Sequence, residues 1–139
     1  MFGDDLMNER PKDAGQSAPG QMVPVYLVLE RNSLIAEDIA GSLRAAGPCD
    51  VVHVQSSVEI ANSLANHPRI EAAFLEMTYA QVVEAGLDKP LLSNGAQIVL
   101  TVGEDDEANV RSLGWNMLIR PFTDDMIRHA IRPAKPRGG

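Results

Sequence analysis

Five short, continuously apolar runs recur along this chain, and each is followed by a stretch with helical spacing. They are VYLVL from Val25, VVHV from Val51 to Val54, AAFLE from Ala72 to Glu76, QIVLT from Gln97 to Thr101, and NMLI from Asn116 to Ile119. Runs of this length that are apolar without alternation are strands buried on both faces, the kind found in parallel sheets. Between them the periodicity changes to that of helices. Ile35, Ile39 and Leu43 follow Ser33 at helical spacing up to Ala46, and Gly47-Pro48 stops that helix. Ser56 and Glu59 have capping-box spacing ahead of Ile60 and Leu64, with His67-Pro68 as the stop. A weaker helix carries Val82, Val83, Leu87, Leu91 and Leu92 up to Asn94-Gly95, and Pro90 bends or splits it. Glu104 to Leu113 is a helix with acids in its first turn, and Thr123 caps a last one that opens with Asp124 and Asp125.

Five strands alternating with five helices predict a parallel α/β sheet covered on both faces. Right-handed crossovers leave few topologies, and the order 2-1-3-4-5 is favoured. Chemistry in such sheets collects at the carboxyl ends of the strands. Glu30 and Arg31, Glu76, Thr101, and Arg120 followed by Pro121 stand at those ends.

Composition narrows the function. A chain of 139 residues suits a single core. Residues 1–21, rich in Gly, Pro and polar types, read as a disordered leader; 22–133 form the domain, and 134–139 a flexible tail. The single Cys49 excludes an internal disulfide and a multi-cysteine metal site. A net charge of −7 argues against general nucleic-acid binding. No apolar run approaches the roughly 18 residues of a membrane span, so the expected location is cytoplasmic.

The edge residues, with the phrases LIAED, SSVE, GEDDEA and RPFT, resemble a response-regulator receiver domain of bacterial two-component signalling over about Val23 to Arg132. That resemblance implies a flavodoxin-like fold with the strand order that chemotaxis receivers share. It also implies two acids after strand one, an acceptor Asp after strand three, a Ser or Thr after strand four, and Lys-Pro after strand five. Here Glu30-Arg31, Glu76, Thr101 and Arg120-Pro121 fill those positions.

The departures bear on the family's chemistry, which is phosphoryl transfer from a histidine kinase to the Asp with Mg²⁺ held by carboxylates. Glu76 carries its carboxyl one C–C bond further out, roughly 1.5 Å, and angstrom-scale misplacement can cost on the order of 100-fold in rate. Arg31 replaces a metal-binding acid with a group that repels a dication and has no lone pair to offer it. Arg120 for Lys is not conservative at a tight anion site. Ala80 replaces the usual Pro, and Val102 a usual small residue. With two guanidiniums beside two carboxylates, the edge can neutralise itself. A degenerate phosphoacceptor site without cofactor, with weak or absent Mg²⁺ binding, is therefore expected.

These features lead to a stand-alone divergent receiver, not an enzyme, that works by binding protein. Its partner would be a histidine kinase or another signalling protein. The resemblance places contacts, including a homodimer, on the face made by helix four, strand five and helix five of this reading. Trp115 is read there as an exposed anchor, with Met117 where receivers often have a switching Tyr or Phe, and Arg111 and Arg128 at the flanks. The alternative is a phosphorylatable single-domain response regulator with altered acceptor chemistry. A flavodoxin-like flavin protein is the remote one, since RNSLIA lacks the several Ser, Thr and Gly residues of a flavin-phosphate loop. His53, His67 and His129 show no ligand spacing and read as structural or surface.

Overall fold

The computed structural model describes residues 23–119 and 122–131. The 1–21 leader, the 134–139 tail, Arg120 and Pro121 lie outside the described residues. All five strands form one parallel sheet: β1 (Val25–Leu29), β2 (Asp50–Val54), β3 (Ala72–Leu75), β4 (Gln97–Leu100) and β5 (Asn116–Met117), in the order β2-β1-β3-β4-β5. The expected 2-1-3-4-5 topology is the observed one.

Burial on both faces follows from alternation within each strand. Leu27 and Leu29 of β1, Ala73 and Leu75 of β3, and Ile98 and Leu100 of β4 enter one core. Tyr26 and Val28, Ala72 and Phe74, and Val99 enter the other. The helices divide accordingly. α1 (Ser33–Ala46) and α6 (Asp124–Ile131) supply Ala36, Ile39, Leu43, Ile127 and Ala130 to the second core. α2 (Ser57–Asn66), α3 (Tyr79–Glu84), α4 (Asp88–Asn94) and α5 (Glu107–Ser112) supply Ile60, Val82, Leu91 and Val110 to the first.

Local chemistry moved several boundaries. The weak third helix is two helices, and the break falls at Gly86, whose φ of +69° is left-handed, while Pro90 sits harmlessly in the first turn of α4. The fourth helix of the sequence reading begins as a 3₁₀ turn over Glu104–Asp106 before α5. β5 is two residues rather than four; beyond Met117, among the described residues, the Leu118 N–H donates to the Leu100 carbonyl at 2.8 Å. At Ser56 the capping box is incomplete: its hydroxyl donates to Glu59 Oε2 (3.1 Å), which also accepts from the Gln55 N–H (3.3 Å). A complete box occurs instead at Thr78 and Gln81, heading α3. Asn94 does more than stop a helix. Its side chain accepts from the Ile70 N–H (2.5 Å) and donates to the His67 carbonyl (3.1 Å), which closes the approach to β3.

Tyr26 gives the fold an alkaline limit. Burial first, then the charges of Glu71 and Cys49, push its phenol above the ordinary 10.0. The folded state then keeps a proton that the unfolded chain has released, so stability falls as pH rises through 10.0 towards the folded value. Cys49 adds the same sign from 9.0 upward, again chiefly through burial. Urea midpoints measured between pH 8 and 11 should decline through this window, and Tyr26→Phe should flatten the decline. A midpoint insensitive to pH in the wild type would contradict it.

Candidate functional site

The candidate site lies at the carboxyl ends of β2, β1 and β3, which are side by side in the sheet. Glu30, the residue after β1, is only 1% exposed although it is an acid. A buried carboxylate needs partners; Glu30 Oε2 accepts from the Asn32 N–H at 3.2 Å. Its backbone is held as well. The Glu30 N–H donates to the Val54 carbonyl (3.3 Å), and His53 Nε2 lies 2.8 Å from the Glu30 carbonyl, which makes that nitrogen the donor. His53, read from the sequence as structural or surface, is thus a brace for the loop that presents Glu30 and Arg31.

Arg31 points the other way. Its side chain is 73% exposed and reaches across to Glu76, whose side chain is 20% exposed. One carboxylate oxygen, Glu76 Oε1, accepts both the Arg31 backbone N–H (3.1 Å) and the Arg31 Nε–H (3.3 Å). The Glu76 N–H donates to the Leu29 carbonyl (2.9 Å), so backbone and side chain both tie the end of β3 to that of β1. So exposed an ion pair contributes about 0–1 kcal/mol net. Its consequence is geometric: a guanidinium occupies the ground beside the acceptor-position carboxylate.

Thr101 is 2% exposed, and its hydroxyl donates to the Leu75 carbonyl on the neighbouring strand at 3.4 Å. The structure therefore brings Arg31 and Glu76 together, buries Glu30 beside them in the chain, and turns Thr101 to its neighbouring strand; Arg120 and Pro121 are outside the described residues. Among the described residues, no group of three or more His, Cys, Asp or Glu side chains is placed to hold a metal ion. A cleft of about 300 Å³ opens at this edge, lined by Arg31, Gln55, Ser56, Ser57, Glu76 and Gln81 over Leu29 and Met77. Of its polar lining, Ser56 has capping-box spacing to Glu59 and Gln81 the same spacing to Thr78, but a helix start does not mark a cleft.

The second region is the face of α5, β5 and α6, which corresponds to the fourth helix, fifth strand and fifth helix of the sequence reading. Trp115 is not the exposed anchor expected there. It is 6% exposed, belongs to the first core, and lies against Tyr79, ring centroids 5.5 Å apart at 50°. Tyr79 comes from the start of α3, 36 positions earlier, which is why neighbouring residues gave no hint of the cover. Met117 is likewise buried at 5%. Arg111 is half-exposed and well held: it pairs with Glu107 (2.7 Å), and bonds Asn116 Oδ1 (3.3 Å) and the Met117 carbonyl (3.1 Å). Arg128 pairs with Asp125 one turn earlier on α6. A cleft of about 480 Å³ runs between Arg111, Asn116, Met117 and Leu118 on one side and Asp125, Met126, His129 and Ala130 on the other.

The strand order, the split of helices between two faces, and acids at the ends of β1 and β3 can be set beside known structures. No family model matches the sequence, and no curated protein matches it. Solved structures do. The N-terminal signal receiver domain of a two-component response regulator from Bacteroides fragilis superposes with a TM-score of 0.60 at 15% identity, over 81% of this chain and 100% of that one. This is the receiver fold. The chemotaxis response regulator CheY4 of Vibrio cholerae gives 0.58 at 14% identity, over 79% of this chain and 97% of its own. A chain described as adenylate cyclase from Rhodopirellula baltica gives 0.62 at 14% identity, over 79% and 85%. Likeness at such identities is one of fold, and activity has to be argued from the residues. Among the described residues of this receiver fold, no helix is long and apolar enough to cross a membrane.

Proposed function

We propose that this chain is a divergent receiver that serves as a non-catalytic, protein-binding signalling module and does not take up a phosphoryl group. The observation that carries this reading is the double hold of Arg31 on Glu76 Oε1. Phosphoryl transfer to a carboxylate needs a free oxygen facing the donor and a dication to gather the charge that develops. Here one oxygen of the acceptor-position acid is engaged by two N–H groups of one residue. That residue also carries a fixed positive charge where the dication's ligand would be. Glu76 does not stand in well for a phosphorylated Asp either, since it brings about −1 charge against about −1.5 to −2. Output then passes through partner proteins, with a histidine kinase or another signalling protein as the class, and the α5–β5–α6 face as the surface, including contacts with a second copy.

Calorimetric titration with Mg²⁺ tests the electrostatic half of this reading. The wild type should bind Mg²⁺ only weakly, in the millimolar range or beyond. Arg31→Asp removes the repulsion and supplies a ligand, and affinity should rise by about tenfold or more. Micromolar binding by the wild type would overturn the reading.

A further inference from the structure

Two methionines and a histidine from different elements border one cleft. β5 is the last strand of the sheet, and the cleft opens along its free edge between α5 and α6. Met117 belongs to the core on one face of the sheet, and Met126 packs against the core on the other. Both nevertheless line this space of about 480 Å³, together with His129. Met126 and His129 stand three positions apart on α6, a spacing that puts two side chains on one helix face with Cβ atoms about 5–6 Å apart. The three His show no ligand spacing among themselves; this spacing pairs a His with a Met.

The imidazole is already oriented. His129 Nδ1 lies 2.8 Å from the Asp125 carbonyl, and a carbonyl only accepts, so that nitrogen carries the proton. In the neutral ring the lone pair is then on Nε2. A backbone carbonyl that fixes a ligating imidazole through its other nitrogen is the usual second layer of a metal site.

The walls are held as well. Asn116 Nδ2 donates to the Ala130 carbonyl (3.1 Å) and ties β5 to α6, while Arg111 donates to Asn116 Oδ1 and the Met117 carbonyl and ties α5 to β5. The Arg111 guanidinium would oppose a cation, but Glu107 meets its charge at 2.7 Å, and Asp125 meets that of Arg128. Thioether sulfur is a soft, uncharged donor that Mg²⁺ and Ca²⁺ do not favour, and two thioethers with one imidazole suit a soft ion.

We propose that Met117, Met126 and His129 form a binding site for a soft monovalent metal ion of the Cu(I) class, one that clips β5 to α6 when bound. The site uses neither Arg31 nor Glu76, and its test uses no phosphodonor and no Mg²⁺, so its failure is separate from failure of the proposed function.

Cys49→Ser removes the one thiol of the chain, a competing soft ligand, and this variant is titrated with Ag(I) as a redox-inert stand-in for Cu(I). The six methionines report through their Sδ-methyl signals in proton–carbon correlation spectra. Those of Met117 and Met126 should shift together and saturate at an equimolar ratio, while Met77, at the other cleft, stays in place. Competition for Cu(I) against bicinchoninate, under anaerobic reducing conditions, should show affinity lowered by about tenfold or more in Met126→Leu and in His129→Phe. Leu keeps the packing of Met without its sulfur. His129 is exposed, so its variant reads the site even if the Met126 variant loses its circular dichroism. Shifts spread over all six methionines without saturation, or Cu(I) affinity unchanged in the folded variants, overturn the proposal.

Discussion

Trp115→Ala should destabilise the domain by about 3–5 kcal/mol, the range for emptying a large aromatic site in a core. The ring is 6% exposed, shares the first core with Val110, Leu91 and Ile98, and is covered by Tyr79. Its removal leaves a void that Tyr79, fixed at the head of α3 by the Thr78–Gln81 box, is poorly placed to fill. Against a total stability of about 5–15 kcal/mol, such a loss is large. The urea midpoint should fall by about 2 M or more for a domain of this size. A loss below about 1 kcal/mol would mean that the ring is surface, as the sequence alone suggested. The result also governs how the α5–β5–α6 face can be probed. Any effect of Trp115→Ala on partner binding would be inseparable from damage to the core, whereas Arg111 and Arg128 carry exposed charge on this face and can be changed without opening it.

The second large effect is a gain. Glu76→Asp combined with Arg31→Asp shortens the acceptor side chain by one C–C bond, roughly 1.5 Å, and exchanges the guanidinium for a carboxylate. Of the two Arg31 donors to Glu76 Oε1, it removes the Nε–H and keeps the backbone N–H of residue 31. With Glu30 already at the end of β1, three acids then stand at the ends of β1 and β3, a donor set suited to a hard dication. Treated with acetyl phosphate and Mg²⁺, the double variant should acquire a mass increase of one phosphoryl group, with about 100-fold more adduct than either single variant if the two defects act together. Equal and negligible labelling of all three would contradict the assignment of the block to Glu76 and Arg31.

Much of this fold was legible because it rests on local signals. VYLVL, AAFLE and QIVLT are buried on both faces and contain no polar interruption, so strand type and sheet class followed from the runs themselves. Stops at Gly47-Pro48 and Asn94-Gly95 were equally local. What escaped was non-local or competitive. Two breakers, Gly86 and Pro90, lay in one weak helix; Pro90 is tolerated within a first turn, so the chain broke at the glycine. Ser56-x-x-Glu59 and Thr78-x-x-Gln81 have the same box spacing, but only the second closes both halves. In the first, the Glu59 carboxylate takes the Ser56 hydroxyl and the Gln55 N–H instead.

The site was legible to the same depth. Residues at strand ends identified Glu30, Arg31, Glu76 and Thr101 as neighbours on one edge, and the charges implied that Arg31 would face an acid. That it would choose Glu76, using backbone and side chain on one oxygen, while Glu30 withdrew to 1% exposure, depends on the loop path after β1. The His53 brace and the Tyr79 cover depend on contacts 23 and 36 positions apart in the chain. No periodicity reports such contacts.

Under the proposed function, this receiver fold has given up phosphoryl transfer because Arg31 holds the acceptor-position carboxylate. Intact-mass analysis of the wild-type chain after exposure to acetyl phosphate or phosphoramidate with Mg²⁺ tests it most directly. The spectrum should show the unmodified mass alone. A species heavier by one phosphoryl group, present in the wild type and abolished by Glu76→Gln, would contradict the account.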